Sequence, residues 1–145
     1  MGDISKEIES TFASNDLKAY INILYTASWI NGKQLEFFKP YNISPQQYNI
    51  LRILRGAKDP ISVQTVKNRM VQRSPNVTRL MDKLCAKHFI DRIPSKDDRR
   101  VVNIIVTEKG LNLLAEIDKK WDNVLLKNLT DEEALQLSNL LDKVR

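Results

Sequence analysis

The fold can be inferred from one segment, RMVQRSPNVTRLMDKL at residues 69–84. Its serine followed by proline, Ser74-Pro75, predicts a helix start, because a serine hydroxyl suits the N-cap and proline suits the first helical position. Apolar residues then recur at spacings of three, one and three, the pattern of one buried helix face. They are Val77, Leu80, Met81 and Leu84. The outward face is left to polar and charged residues, namely Asn76, Thr78, Arg79, Asp82 and Lys83.

A second short helix is predicted just upstream, with Ser62 as its N-cap. Its inward positions are Val63, Val66 and Met70. Two short helices with a tight connection, the second polar and basic at its start, indicate a helix-turn-helix. Downstream, two β-branched and aromatic runs at 89–93 and 101–106 flank the charged connector 94–100 and predict a β-hairpin. A helix-turn-helix followed by such a hairpin is a winged helix.

Amphipathic helices are predicted on both sides of the winged helix. The N-terminal helix begins early in the chain and ends at Asn31-Gly32, because both residues tolerate a left-handed backbone. A short apolar helix follows at residues 35–38. Thr107 starts a long helix whose apolar side is Leu111, Leu114, Ile117, Trp121, Val124 and Leu125.

The capping box at residues 130–133 starts the last helix. Its apolar stripe is Ala134, Leu137, Leu140, Leu141 and Val144. These outer helices are too apolar to lie free on a small monomer. The predicted fold class is therefore mainly α with a small β-hairpin wing (α+β), a winged helix-turn-helix between outer helices.

Composition excludes several classes of protein. The 145 residues include one Cys and one His, so we expect no disulfide within the chain, no metal and no cofactor. The sequence has no Gly-rich phosphate loop, catalytic triad or close acidic pair, which predicts a protein that is not an enzyme. It has neither a signal peptide nor an apolar run long enough to cross a bilayer, so we expect a cytoplasmic protein with no membrane partner.

The positive charge is concentrated in the middle of the chain. Residues 62–100 carry ten basic and four acidic groups, whereas residues 1–61 carry seven and six and residues 101–145 carry six and eight. The basic surplus therefore coincides with the helix-turn-helix and the hairpin. This favours nucleic acid as a partner, although basic surfaces also occur on proteins that bind none.

The helix that follows Ser74 carries side chains suited to DNA. An amide pairs with adenine and a guanidinium with guanine, while hydroxyls and a helix N-terminus suit phosphate oxygens. The candidates are Ser74, Asn76, Thr78, Arg79 and Lys83. The alternatives are that Ser74 only caps the helix, that Asn76 and Thr78 are merely solvated, and that Arg79 pairs with Asp82 three residues on. We favour capping for Ser74 and DNA recognition for Arg79.

The hairpin tip is a second candidate site. A basic tip can enter a minor groove, where a narrow groove concentrates negative potential. The candidates are Lys96, Asp98, Arg99 and Arg100, with the carboxylate holding a guanidinium extended. The alternative is a solvated turn whose charges largely cancel.

Five aromatic residues could line a small-molecule cleft where the long outer helices meet the winged helix. They are Trp29, Phe37, Phe38, Tyr48 and Trp121. Core packing explains such aromatics equally well. His88 is interpreted as a structural residue at a helix end, since His takes a positive φ more readily than most residues. Cys85 is interpreted as an inert, half-buried thiol.

The motifs resemble those of the MarR family, the multiple-antibiotic-resistance-type regulators of bacteria and archaea. The resemblance is carried by residues 69–84 and by Asp98-Arg99-Arg100 with the downstream IIVTEKG at residues 104–110. It implies a single domain, 1–145, that forms a homodimer. The implied regions are dimerisation helices within 1–38 and 108–145 and a winged-helix DNA-binding region at 44–107.

The resemblance also implies roles for individual residues. The helix of residues 74–87 would enter the major groove of double-stranded DNA, and Arg100 would enter the minor groove with its guanidinium oriented by Asp98. The implied function is a regulator, expected to be a repressor, on a pseudo-palindromic operator. A small aromatic effector in the cleft would release the DNA.

Three features depart from the family pattern. His88 replaces the usual glycine at the end of the recognition helix, and Lys67 stands where a small residue is usual. The first helix lacks a cysteine, and Cys85 does not occupy the position that oxidant-sensing members use, so peroxide sensing is not expected.

Two other functions compete with a DNA-binding regulator. One is a winged-helix protein-interaction module without sequence-specific DNA binding, and the other is an enzyme acting on nucleic acid. The interaction module predicts weak binding to random duplex DNA with a shallow salt dependence.

Overall fold

A computed structural model describes residues 2–121 and 125–145. The chain divides into two units, one that ends at Pro45 and one that starts at Gln46. The first holds helices α1 (Ile4–Glu7) and α2 (Asn15–Phe38) and a 3₁₀ turn at Lys39–Tyr41. From Pro45 onward the elements are α3 (Pro45–Ala57), β1 (Ile61–Ser62), α4 (Val63–Arg69), α5 (Val77–Ala86), β2 (Ile90–Pro94), β3 (Val102–Val106), α6 (Glu108–Lys120) and α7 (Asp131–Val144).

Helix α2 differs from the sequence prediction at both ends. It begins at Asn15, where the Ser14 hydroxyl accepts a hydrogen bond from the Leu17 N–H at 3.3 Å, and α1 is a separate single turn. Glu9, with φ 50°, interrupts the helical backbone between them. The predicted end at Asn31-Gly32 is wrong, because the helix continues to Phe38.

The reason α2 passes through Gly32 is energetic. A glycine inside a helix costs only about 1 kcal/mol relative to alanine, whereas each further residue of a formed helix adds a hydrogen bond. None of the glycines in the described residues has a positive φ, so Gly32 does not use the freedom that would end a helix. The predicted helix at 35–38 is the last turn of α2.

The helix-turn-helix and the wing predicted from the sequence are confirmed. The Ser62 hydroxyl accepts from the Thr65 N–H at 3.1 Å and caps α4. Strands β2 and β3 form an antiparallel hairpin, in which Ile90 pairs with Val106 and Pro94 with Val102.

The sheet has a third strand that the sequence analysis missed. Strand β1 pairs antiparallel with β3, so the order is β1-β3-β2, and Ile61 lies opposite Ile104. The strand has two residues, and the second, Ser62, is also the N-cap of α4, so the strand is too short to show an alternating pattern. The strand fastens the start of α4 to the base of the wing.

Two helix boundaries also need correction. Helix α5 starts at Val77 rather than at Pro75, since Pro75 and Asn76 form a turn ahead of it. Helix α6 ends at Lys120, where the Trp121 N–H bonds to the Ile117 carbonyl, although the apolar pattern extends to Leu125. Trp121 and Leu125 lie outside the helix although they continue its spacing, so periodicity does not mark the helix end. The predicted position Val124 lies outside the described residues.

The buried side chains of the second unit come from all parts of the winged helix. Fully buried residues include Leu51, Val66, Met81, Leu84, Ile90, Ile104, Leu114 and Ile117. Among the residues that the structure covers, none of the helices combines the length and apolar character that a bilayer crossing requires. The same residues contain no group of three or more His, Cys, Asp or Glu side chains placed to hold a metal ion.

Candidate nucleic-acid interface

Helix α5 presents one buried and one exposed face, as its spacing predicted. Val77, Met81 and Leu84 are buried. Asn76, Thr78, Arg79, Asp82 and Lys83 are exposed. Because the apolar face is fully used by the core, the polar face is available to a partner.

Ser74 lies at the start of this face and bonds to the local backbone. Its hydroxyl accepts a hydrogen bond from the Asn76 N–H at 3.2 Å. The first bond of the helix follows, from the Leu80 N–H to the Asn76 carbonyl at 3.0 Å. The Ser74 side chain therefore stabilises the turn that leads into α5 but does not cap the helix. The capping interpretation is wrong, because the N-cap of α5 is Asn76, which makes no side-chain cap bond.

Asp82 does not pair with Arg79, the alternative left open above. Its Oδ1 instead forms an ion pair with Nη2 of Arg92, on strand β2. Within the described residues the Arg79 guanidinium makes no ion pair. The hydrogen bond from Arg92 to Asp82 also raises the pKa of the Arg92 guanidinium. Sequence analysis missed Arg92, because nothing local marks an exposed strand arginine as the partner of a helix.

Helix α5 ends in a hydrogen-bonded cap that directs the chain into the wing. His88 has a φ of 61°, so the left-handed backbone predicted there is present. The His88 N–H bonds to the Cys85 carbonyl at 2.9 Å, and the Phe89 N–H bonds to the Leu84 carbonyl at 3.0 Å. These two bonds make a Schellman motif, in which glycine is the usual residue and His88 takes its place.

Thr107 ties the base of the wing to the end of α5. Its N–H bonds to the Phe89 carbonyl at 3.0 Å, and its hydroxyl donates to the His88 carbonyl at 2.6 Å. The same hydroxyl accepts from the Gly110 N–H at 3.1 Å and so caps α6. One threonine thus joins the recognition helix, the wing and α6.

The glycine of the Thr-x-x-Gly motif is required by close packing. A Cβ on Gly110 would lie 2.7 Å from Cγ2 of Val106 and closer still to the Phe89 carbonyl oxygen. Beside it, the Lys109 ammonium donates to the Lys87 carbonyl at 2.9 Å and lies 5.0 Å from the centre of the Phe89 ring. Helix α6 therefore contacts the segment that follows α5 in two ways. The backbone at Gly110 lies close to Phe89, and the Lys109 ammonium bonds to the Lys87 carbonyl.

Side-chain amides of helix α3 form hydrogen bonds with the helix-turn-helix. The buried Gln47 donates from its amide to the Leu80 carbonyl at 3.3 Å, and the Asn49 amide oxygen accepts from the Val71 N–H at 3.0 Å. Gln46 also bonds to Gln72 at 3.3 Å. Gln46 and Asn49 thus hold the segment between α4 and α5, and Gln47 binds α5 itself. Sequence analysis did not predict these contacts.

The wing tip has an ordered backbone and exposed cations. The Ser95 N–H bonds to the Val101 carbonyl at 2.8 Å, and the Val101 N–H bonds to the Asp98 carbonyl at 3.0 Å. The Asp98 carboxylate accepts from the Arg100 N–H at 2.9 Å, so its contact is with the backbone of Arg100 rather than with the guanidinium. The exposed cations are Lys96, Arg99 and Arg100.

The aromatic candidates fall in both units of the chain. In the first, Phe37 packs edge-on against the fully buried Phe38 at 5.1 Å, and Trp29 is exposed. In the second, the Tyr48 and Trp121 rings lie 6.4 Å apart, and the pKa of Tyr48 is raised by burial. The ligand cleft stays a prediction.

Two further residues discussed in the sequence analysis, Cys85 and Lys67, lie half-buried in the helix-turn-helix. Burial raises the pKa of the Cys85 thiol, so the reactive thiolate is disfavoured. Lys67 belongs to α4.

Comparison with known proteins decides the family. The MarR family sequence model matches residues 43–102, which span the helix-turn-helix and most of the wing. The transcriptional regulator PecS of Dickeya dadantii is 30% identical over 112 residues, covering 74% of this chain and 68% of PecS. The chain belongs to the MarR family.

Other MarR-family proteins match over most of the chain. The multiple antibiotic resistance protein MarR of Escherichia coli is 29% identical over 113 residues, covering 75% of this chain and 78% of that protein. A crystal structure of a mutant E. coli MarR complexed with operator DNA superposes with a TM-score of 0.75 at 25% identity, covering 99% of both chains. The MarR-family relatives are transcriptional regulators and not enzymes, so the prediction of a non-enzymatic regulator is confirmed.

Proposed function

We propose that this MarR-family protein is a repressor that binds a pseudo-palindromic DNA operator as a homodimer. The observation that carries the proposal is the exposed polar face of α5, with Arg79 and Lys83, on a helix joined to a cationic wing by Thr107. Such a pair of elements suits a duplex, because a helix fits the major groove and a basic hairpin tip fits the minor groove.

Individual side chains have distinct roles in this proposal. Arg79 bonds to guanine and Asn76 to adenine, while Thr78 and Lys83 contact phosphates. Ser74 stabilises the turn that leads into the helix through its bond to the Asn76 N–H. These assignments divide the contacts into those that recognise sequence and those that position the protein.

The wing supplies the minor-groove contact. Arg100 enters the groove, while Lys96 and Arg99 lie against the flanking phosphates. Asp98 contributes by bonding to the Arg100 N–H, which shapes the tip from which the guanidinium extends.

The homodimer is supported by apolar side chains that the single chain leaves uncovered. Helix α7 has no buried residue, and 63% of Leu140 and 73% of Val144 is exposed. Helix α2 likewise exposes Tyr20 and Leu24. Two helices of this composition need a covering surface, and a second copy offers the same faces in a symmetric arrangement. We therefore assign dimerisation to the helices within 1–38 and 108–145.

Repression follows from occupancy of a promoter, and an effector would relieve it. A small aromatic molecule would release the DNA if it bound the DNA-free form of the protein more tightly than the DNA-bound form. This part of the proposal is tested by titrating a phenolic acid into the protein–operator complex.

The decisive experiment is selection of duplexes from a random pool by the purified protein, followed by sequencing. We expect a palindrome whose half-site centres lie about one helical turn, roughly 10 base pairs, apart. Affinity for that duplex should fall steeply with salt, by about 0.9 log unit per log unit of salt for each phosphate contact. If no motif is enriched, and if the protein binds DNA weakly with a shallow salt dependence, the protein-interaction module is favoured instead.

A further inference from the structure

The ion pair between Asp82 and Arg92 joins a side chain of the recognition helix to a side chain of the wing. Asp82 is the sole acidic residue of α5 and lies three residues after Arg79. Arg92 is the third residue of β2. The Arg92 side chain is 39% exposed and that of Asp82 is 55% exposed.

The strand fixes the base of Arg92. Residues two apart in a strand share a face, so Arg92 lies on the same side of the sheet as the fully buried Ile90. In the register it is opposite Ile104, which is also fully buried. The guanidinium therefore emerges at the border of the core, where the α5 carboxylate meets it.

The carboxylate is out of place if α5 only needs to attract DNA. It sits among Arg79, Lys83 and Thr78 on the face assigned to a polyanion, and a negative charge there repels phosphates. Its ion pair with Arg92 offsets that charge and joins two elements that must contact the same duplex.

We propose that Asp82 and Arg92 are positioning residues, which set the recognition helix against the wing so that Arg79 and Arg100 engage one half-site together. The proposal rests on the proposed function for its operator. Neither residue needs to contact DNA, because each acts through the other.

The test compares operator affinities of Asp82→Asn, Arg92→Gln and a charge-reversed double variant, Asp82→Arg with Arg92→Asp. An exposed ion pair stabilises a given arrangement only weakly, so we expect each single variant to lose about threefold in operator affinity per half-site, or roughly tenfold for a dimer. The double variant should regain most of the affinity.

Two features separate positioning from simple charge. Removing an acid from a DNA-binding face should tighten binding if charge alone matters, whereas positioning predicts that Asp82→Asn weakens it. If Arg92 contacted a phosphate, Arg92→Gln would lower the salt slope of operator binding by about one per half-site. If Arg92 only positions the wing, the slope of this variant stays that of the parent. The matched control is Asp97→Asn, which removes the same charge from the wing tip without breaking an ion pair in the described residues.

A second measurement does not depend on DNA. In the free protein, amide hydrogen exchange of the wing residues 95–101 should quicken in Asp82→Asn and Arg92→Gln and stay unchanged in Asp97→Asn. Thermal unfolding of each variant establishes that it is folded. Unchanged exchange, or an Asp82→Asn protein that binds the operator as tightly as the parent, overturns the positioning role. Failure of the parent itself to bind any selected duplex overturns the proposed function instead.

Discussion

The winged helix and helix α7 use similar amphipathic patterns with opposite results. In the winged helix, every element from β1 to α6 contributes buried residues or backbone bonds to a core closed within one chain. In α7, a capping box starts a well-formed helix, yet none of its residues is buried. The difference shows that apolar spacing predicts where a helix faces but not which molecule covers that face.

Thr107 and Leu140 illustrate the contrast at the level of single residues. Thr107 makes hydrogen bonds to His88 and Phe89 on one side and to the first turn of α6 on the other, all within its own chain. Leu140 is 63% exposed although it lies in the predicted apolar stripe. The winged helix therefore buries its apolar side chains within one chain, whereas α7 is expected to bury its apolar side chains against a second chain.

The largest effect is expected where association completes the molecule. Leu140→Glu should convert the proposed dimer into monomers, because a carboxylate is costly in an apolar interface. Operator affinity should then fall on the order of a hundredfold or more, as two-half-site binding is lost. Sedimentation and fluorescence anisotropy measure the two quantities.

The control for this variant is Asn139→Glu, which adds the same charge on the opposite side of α7. It should remain dimeric. A Leu140→Glu protein that stays dimeric would show that α7 is not the interface and would remove the contrast between the two regions.

The next largest effect is expected in the contacts between the winged helix and operator DNA. Arg79→Ala should cost about 1–3 kcal/mol of operator binding and reduce base preference, because it removes a base contact. Arg100→Ala should weaken binding through the minor groove. Lys119→Ala removes an equal charge from α6 and serves as the control in the same anisotropy titration. Parental affinity and salt slope in Arg100→Ala would contradict the wing assignment.

A smaller effect tests how tightly the winged helix is packed. Gly110→Ala should lower the free energy of unfolding by about 1–3 kcal/mol, since its Cβ would overlap the Phe89 carbonyl. Gly32→Ala, whose Cβ would meet nothing within 4 Å, should instead be neutral or stabilising by up to about 1 kcal/mol. Chemical denaturation measures both, and equal effects would contradict the close approach at Gly110.

The smallest effect concerns the thiol at the edge of the same core. Burial raises the pKa of Cys85, so less thiolate is present near neutral pH than in an unfolded chain. Iodoacetamide should therefore modify the folded protein more slowly than the denatured protein, and the rate should rise with pH. Rapid modification of the folded protein at pH 7 would show that the winged helix opens at this point.

Sequence analysis predicted those parts of the candidate site that depend on neighbours in the chain. The buried face of α5, the Ser62 cap and the positive φ of His88 follow from spacing and local backbone chemistry. The support from Gln47 and the partner of Asp82 did not, because these contacts join segments 33 and 10 residues apart. Several side chains could have filled either role.

Local order along the chain identified the helix-turn-helix, the hairpin and the exposed cations, because periodicity, caps and charge act over a few residues. Folding in three dimensions decided that α2 continues through Gly32, that Ile61 and Ser62 form a strand, and that Asp82 bonds to Arg92 rather than Arg79. Those outcomes depend on which distant groups meet. A hydrogen bond or an ion pair is chosen by distance in space, and spacing along the chain does not encode that distance for residues on different elements.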